Sequence, residues 1–147
     1  METNYPMGCG CSTGSSDHGP EPFTANIPCE AKKNPYYRTA FWTGEYLQLT
    51  LMSIPVEDDI GLEMHPDTDQ YIRVEAGLAL VCMGPAGNDL NIRRRLCVGD
   101  AVFVPAGTWH NIINVGAEAL KLSSVYAPPH HPWGTIHRTK ADAASAE

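Results

Sequence analysis

The sequence lacks any apolar run long enough to cross a membrane. No stretch approaches the roughly 20 residues that a helix needs to span the hydrocarbon core. Residues 1–20 are rich in Gly, Ser and Pro and contain no apolar core of a secretory signal. We therefore expect a cytoplasmic protein that does not insert into a membrane.

Basic residues are too few to favour a polyanionic partner. The chain has 10 Lys and Arg against 17 Asp and Glu, which gives a formal net charge of −7. An acidic chain does not usually attract nucleic acid or anionic lipid, and we expect neither as a partner. The one basic cluster, Arg93 to Arg95, is typical of a charged strand edge. Capture of an anionic substrate is the alternative.

Cysteines are few, odd in number and irregularly spaced. The five are Cys9, Cys11, Cys29, Cys82 and Cys97. This pattern argues against a disulfide framework and predicts reduced thiols. Cys9 and Cys11 could bind a soft metal or form a redox pair, but no further Cys or His pair follows at zinc-finger spacing. An exposed pair without a role is the simpler interpretation.

Sustained helical periodicity is also missing between Tyr36 and Tyr126. Leu47, Leu49 and Leu51 alternate with polar neighbours, as in a half-buried strand. Further short strand-like runs, separated by turn residues, span 60–65, 70–75, 78–83, 94–97, 101–104, 111–114 and 120–126. Many short strands with regular turns predict an all-β jelly-roll barrel. We expect a loose N-terminal arm at 1–30, the barrel at 31–138 and a tail at 139–147, in which alanines suggest a frayed helix.

Four polar side chains stand at strand ends that could meet. Glu63 and His65 are two apart on a predicted strand and so share a face. Gln70 opens the next strand across a short turn, which would place it beside that face. His110 opens a strand after the Pro105 to Gly107 turn. Three or four N and O donors around one point are what a metal ion requires.

Residues 99–114 resemble the second motif of the cupin superfamily at every defining position. Those positions are Gly99, Pro105, Gly107, His110 and Asn114. The first cupin motif is matched in its frame, which ends at Gly77, but it departs at two ligands. Glu63 stands where the first His is usual, and Gln70 stands where the Glu is usual. The resemblance covers roughly residues 45–126.

The resemblance implies a double-stranded β-helix with one divalent metal ion bound by Glu63, His65, Gln70 and His110. The usual set of three His and one Glu carries one negative charge, and so does this set. We therefore interpret the two departures as one compensated change, in which the carboxylate has moved from one position to the other and the metal site is kept. Fe, Mn, Ni, Co and Zn are not distinguishable from the donors. A metal-free cupin that uses these groups to bind a substrate is the alternative.

The function that the donor set favours is an oxygenase acting on a small organic molecule, since two histidines and a carboxylate are the donors of the facial triad. A sugar or sugar-phosphate isomerase or epimerase, or a non-catalytic binding protein, are the alternatives. No catalytic residue is assigned. His130, His131 and His137 either belong to a surface loop or fold over the pocket. Cupins commonly pair, so we expect a homodimer, with residues 23–45 either as an intersubunit strand or as a cover for the same subunit's sheet.

Overall fold

The structure is a computed structural model, and it describes residues 17–146. Its elements are α1 (Ile27–Lys33), β1 (Arg38–Thr43), β2 (Gln48–Ile54), β3 (Asp69–Ala76), β4 (Ala79–Gly84), β5 (Ile92–Leu96), β6 (Ala101–Val104), β7 (Trp109–Asn114), β8 (Leu120–Ala127), β9 (Ile136–His137) and α2 (Lys140–Ser145). Cys9 and Cys11 lie outside the described residues, so the alternatives for that pair stay open.

Two antiparallel sheets form the predicted double-stranded β-helix. The larger has the strand order β6-β3-β8-β2-β1-β9, and the smaller has the order β5-β4-β7. Neighbouring strands in the larger sheet are often far apart in sequence, which is the crossover pattern of a jelly roll. The all-β class and the barrel architecture are confirmed.

The barrel interior is apolar in its middle and polar at one end. In the middle, Met52 on β2 pairs with Leu122 on β8, which pairs in turn with Val74 on β3. All three are almost fully buried. Towards one end the same three strands instead place Gln48, Tyr126 and Gln70 in register, and these are buried too. Buried polar groups need partners, so this polar layer marks the end that carries chemistry.

Helix α1 occupies a segment for which the sequence predicted only a loose arm up to residue 30. Asn26 caps it, because its Oδ1 accepts a hydrogen bond from the Cys29 backbone N–H at 3.0 Å. Ala31 on this helix packs with Phe41 and Leu51 on the outer face of the larger sheet. A seven-residue helix has too little periodicity to stand out in a sequence, and tertiary packing stabilises it.

The segment from Ile60 to His65 is not the strand that the sequence predicted. It contains one isolated bridge, in which Glu63 faces His110 of β7, and a second bridge just before it joins Asp59 to Ile113. Gly61 has a φ of 84°, a left-handed conformation that interrupts regular extended backbone. The segment therefore follows the edge of β7 without forming a continuous ladder.

The cysteines differ from the prediction at one position. Cys29 is disulfide-bonded, whereas Cys82 and Cys97 have free thiols. The expectation of reduced thiols is therefore wrong for Cys29, because an odd and irregular set of cysteines still permits a single bridge.

None of the helices within residues 17–146 has the length and apolar character needed to span a bilayer.

Candidate metal centre

Three side chains converge at the polar end of the barrel. The Oε1 atom of Glu63 lies 3.4 Å from Nε2 of His65 and 3.4 Å from Nε2 of His110. One potential ligand atom from each residue lies within 4.8 Å of the others. The structure thus brings together three of the four residues that the sequence singled out, at spacings that a single ion could bridge.

Backbone hydrogen bonds hold the irregular segment against β7. Glu63 and His110 exchange both of their backbone hydrogen bonds, at 3.0 and 2.9 Å. The carbonyl of His65 accepts from the Gly107 backbone N–H at 2.8 Å. The reason for convergence therefore differs from the prediction: Glu63 reaches His110 by pairing with β7, and His65 is held by the turn that precedes β7.

The tautomer of His110 suits a metal ligand. Its Nδ1 lies 3.0 Å from the Thr108 carbonyl oxygen, which can only accept, so Nδ1 carries the proton. In a neutral ring Nε2 then has a free lone pair, and this atom is fully buried. Neither it nor Nε2 of His65 has a hydrogen-bond partner within the described part of the chain. Two buried, unpartnered imidazole nitrogens beside a carboxylate fit a bound cation.

Glu63 supplies the negative charge of the centre. Burial of the carboxyl would raise its pKa, but the neighbouring His110 and His65 rings lower the pKa to about 2. The group is therefore a carboxylate at neutral pH. An anionic oxygen and two imidazole nitrogens form a donor set that binds divalent transition metals.

Gln70 lies in the same polar layer but not in the predicted hairpin with Glu63. It sits on β3 and pairs with Val104 and Tyr126. Its Nε2 donates to Ser124 Oγ at 2.8 Å, which fixes the amide. Its buried Oε1 has no partner among residues 17–146. The Gln70 carbonyl is thus available as a neutral oxygen ligand, and the structure leaves that part of the prediction untested.

The three C-terminal histidines include one that meets the centre directly. The ring centroid of His130 lies 4.1 Å from that of His65 and 4.8 Å from that of His131. Gln48 anchors this loop, because its Oε1 accepts from the backbone N–H groups of His130 and His131 at 3.2 and 2.9 Å. Both alternatives from the sequence hold in part, because His130 is exposed on a surface loop and its ring also packs against His65.

Arg38 is a residue near the site that the sequence analysis missed. It lies on β1 and is only 5% exposed. Its Nη1 lies 3.2 Å from Nδ1 of His137. Arg93 to Arg95, the cluster that the sequence did single out, are exposed on β5 instead. Arg38 faces inward because β1 pairs with β2 and β9, and the sequence carries no local signal of that pairing.

Comparison with known proteins matches most of the barrel to one family. Residues 50–126 match the model of the cupin domain. Protein YrkC of Bacillus subtilis is 53% identical over 131 residues, which are 89% of this chain and 70% of that protein. The crystal structure of BH2720 from Bacillus halodurans is also 53% identical, covers 88% of this chain and 98% of that one, and superposes with a TM-score of 0.88.

A more distant structure shares the fold alone. It is a Klebsiella pneumoniae protein with a double-stranded β-helix domain, 20% identical, with a TM-score of 0.57 over 73% of this chain and 88% of that chain.

Proposed function

The chain belongs to the cupin family, and we propose that it is a metal-dependent enzyme that oxygenates a small organic molecule. The observation that carries this proposal is the convergence of Glu63, His65 and His110 on one point, with both imidazole Nε2 atoms buried and unpartnered within residues 17–146. Two histidines and one carboxylate are the donors that non-haem iron oxygenases use. Gln70 would either be a fourth ligand or bind a water next to it.

A bound ion would supply Lewis acidity and, if it is iron, one-electron redox chemistry. The chain's own residues prepare the centre for it. The Thr108 carbonyl orients His110, and Ser124 orients the amide of Gln70. Such outer partners fix the ligand atoms before the ion arrives, so that little reorganisation accompanies binding.

Tyr126 and the loop of His130 shape the space in which a substrate would lie. The Tyr126 ring contacts the His65 ring at a centroid distance of 5.7 Å. Burial, together with the Glu63 carboxylate, raises the pKa of Tyr126 to about 12, so its hydroxyl keeps its proton at neutral pH. The hydroxyl is therefore a hydrogen-bond donor beside the centre rather than a base.

Metal analysis followed by an oxygen-uptake assay tests the proposal. Protein purified without chelator should contain about one divalent ion per chain. Protein loaded anaerobically with Fe²⁺ should consume dioxygen when phenols, diketones or thiols are supplied. Glu63→Ala and His110→Ala should lose metal and uptake together, because each removes one donor of the set.

Glu118→Ala is the matched control, since it removes an exposed carboxylate in the β7–β8 turn, at the opposite end of β8 from Tyr126. Absence of bound metal in the wild-type protein would overturn the proposal. Metal binding with no uptake for any compound would contradict the oxygenase and favour a binding protein. Turnover of sugar phosphates without dioxygen would favour the isomerase.

A further inference from the structure

A cavity lies beside the metal centre, and its lining includes several nitrogen-bearing side chains. Its volume is about 370 Å³, and its walls include Arg38, His130, His131 and His137, with Ala143 of α2 at its rim. His130 also contacts the His65 ring, so one imidazole separates this cavity from the centre. The volume suits a small organic molecule, at the lower end of the range for ligand pockets.

Arg38 is a buried cation without a carboxylate partner. It is 5% exposed, and within residues 17–146 it forms no ion pair with Asp or Glu. Its Nε is buried and has no hydrogen-bond partner among those residues. A guanidinium keeps its charge inside a protein, and burying a charge without a counter-charge is costly. The cavity that Arg38 lines is where a counter-charge could sit.

His131 adds hydrogen-bonding capacity to the cavity without adding charge. Burial, together with the nearby Arg38, lowers the pKa of His131 to about 3, so this ring is neutral at physiological pH. Its Nε2 is buried and has no partner in the described chain. At His137, Nδ1 must accept the hydrogen bond from Arg38, because a guanidinium only donates, and a neutral His137 therefore carries its proton on Nε2.

We infer that this cavity binds the carboxylate of a small organic acid, with Arg38 supplying the positive charge and His131 a hydrogen bond. One guanidinium balances one negative charge, which matches a carboxylate better than a dianion such as phosphate. The rest of the acid would extend past His130 towards Glu63, His65 and His110. The statement that a carboxylic acid is the substrate of the enzyme rests on the proposed function. The statement that the cavity binds a carboxylate can be tested independently of that function.

Acetate and its neutral isostere acetamide are suitable probes. We would titrate each into the full-length protein and follow the ring signals of His131 and His137 by ¹H–¹³C NMR. Acetate should shift these signals in a saturable manner, and acetamide should not. Arg38→Gln should weaken acetate binding at least tenfold. Arg138→Gln removes the same charge from an exposed side chain that stacks over Tyr36, and it should bind acetate like the wild type.

Two further variants keep the inference testable. If circular dichroism shows that Arg38→Gln is unfolded, Arg38→Lys should retain most of the affinity, and His131→Phe should lose about tenfold, the value of one hydrogen bond. The inference would be overturned if Arg38→Gln bound acetate as tightly as the wild type. It would also be overturned if Arg38→Lys and His131→Phe bound acetate equally well. Equal binding of acetamide and acetate would also overturn it.

A His110→Ala variant separates this inference from the metal centre. Acetate binding that survives in His110→Ala while metal is lost supports a carboxylate site in the cavity. Acetate binding that is lost there but unchanged in Arg38→Gln shows that the anion is a ligand of the ion. That result would overturn the anion cavity and leave the proposed metal centre standing.

Discussion

Asn114 illustrates how one buried side chain joins several elements at the end of the barrel opposite the centre. Its Nδ2 donates to the carbonyls of Ile54, Pro55 and Glu118 at 3.0, 3.1 and 2.9 Å. Its Oδ1 accepts from the Gly116 backbone N–H at 2.9 Å. The last position of the second cupin motif therefore ties the end of β2 to the β7–β8 turn. The motif marks this residue, but a sequence alone does not show that its role is structural.

We predict that Asn114→Ala lowers the free energy of unfolding by about 2–3 kcal/mol, because buried carbonyl groups lose their donor. Urea denaturation followed by circular dichroism measures the change. Asn91→Ala, at an exposed position, is the control and should change the free energy by less than about 0.5 kcal/mol. A loss of similar size in both variants would contradict the role assigned to Asn114.

Gln70 can be tested by changing its charge at nearly constant shape. Gln70→Glu adds a second carboxylate to the set and should raise the affinity for a divalent ion by at least tenfold. Gln70→Ala should lower it by about 10-fold, less than the loss expected for His110→Ala. Competition against a chromophoric chelator measures these affinities. Unchanged affinity in both variants would show that Gln70 does not act on the ion.

At the scale of elements, the segment between β2 and β3 is where prediction and structure differ most. The alternation of residues 60–65 resembles a strand, yet the backbone turns at Gly61 and only touches β7. The candidate ligands could still be identified from the sequence, because their spacing matches that of the ligands in the family motifs. The path of the backbone could not be predicted, because it depends on long-range bridges to β7.

Gly61→Ala should strain the backbone of this segment and, as a result, also weaken metal binding at the centre. A side chain at this φ costs about 1 kcal/mol of stability, and Glu63 is only two residues away. We expect metal affinity to fall by more than threefold. Gly99→Ala is matched, because Gly99 has a φ of 91° and, like Gly61, no atom within 4 Å of an added Cβ. Gly99→Ala should lose similar stability and keep its metal affinity; an equal fall in affinity would refute the link to Glu63.

At the scale of the whole molecule, an apolar row crosses the outer face of the larger sheet. Phe103, Tyr71, Val125, Leu49 and Trp42 are in register on five successive strands. Phe103 is 74% exposed. The other four side chains are half-buried, so the row is a partly exposed apolar strip of the kind that often marks an interaction surface.

We propose that this apolar row pairs two copies of the chain. Light scattering after size-exclusion chromatography should give a mass of about 32 kDa, twice the 16.0 kDa of one chain. Phe103→Ser should shift the mass towards the monomer, whereas Val98→Ser, at a residue 59% exposed in the β5–β6 turn, should not. A monomeric wild type, or a dimer unaffected by Phe103→Ser, would contradict the pairing.

The fold class could be predicted because strand alternation and turn residues are local signals, as at Leu47 to Leu51. The short helix α1 and the inward placement of Arg38 could not, because both depend on neighbours far along the chain. Arg38 faces the site because β1 pairs with β2 and β9. The family motifs alone therefore do not identify residues such as Arg38, which lies outside them.

The candidate ligands come from both sheets, with His110 on the smaller one and Gln70 on the larger one. An unfolded chain has no such arrangement, so an ion bound there joins the two halves only while the protein is folded. By mass action, an ion at 100 times its dissociation constant would stabilise the fold by about 2.7 kcal/mol. The cellular lifetime of the protein would then depend on the supply of the metal ion. Without the ion a larger fraction of the chains would be unfolded, and proteases degrade unfolded chains.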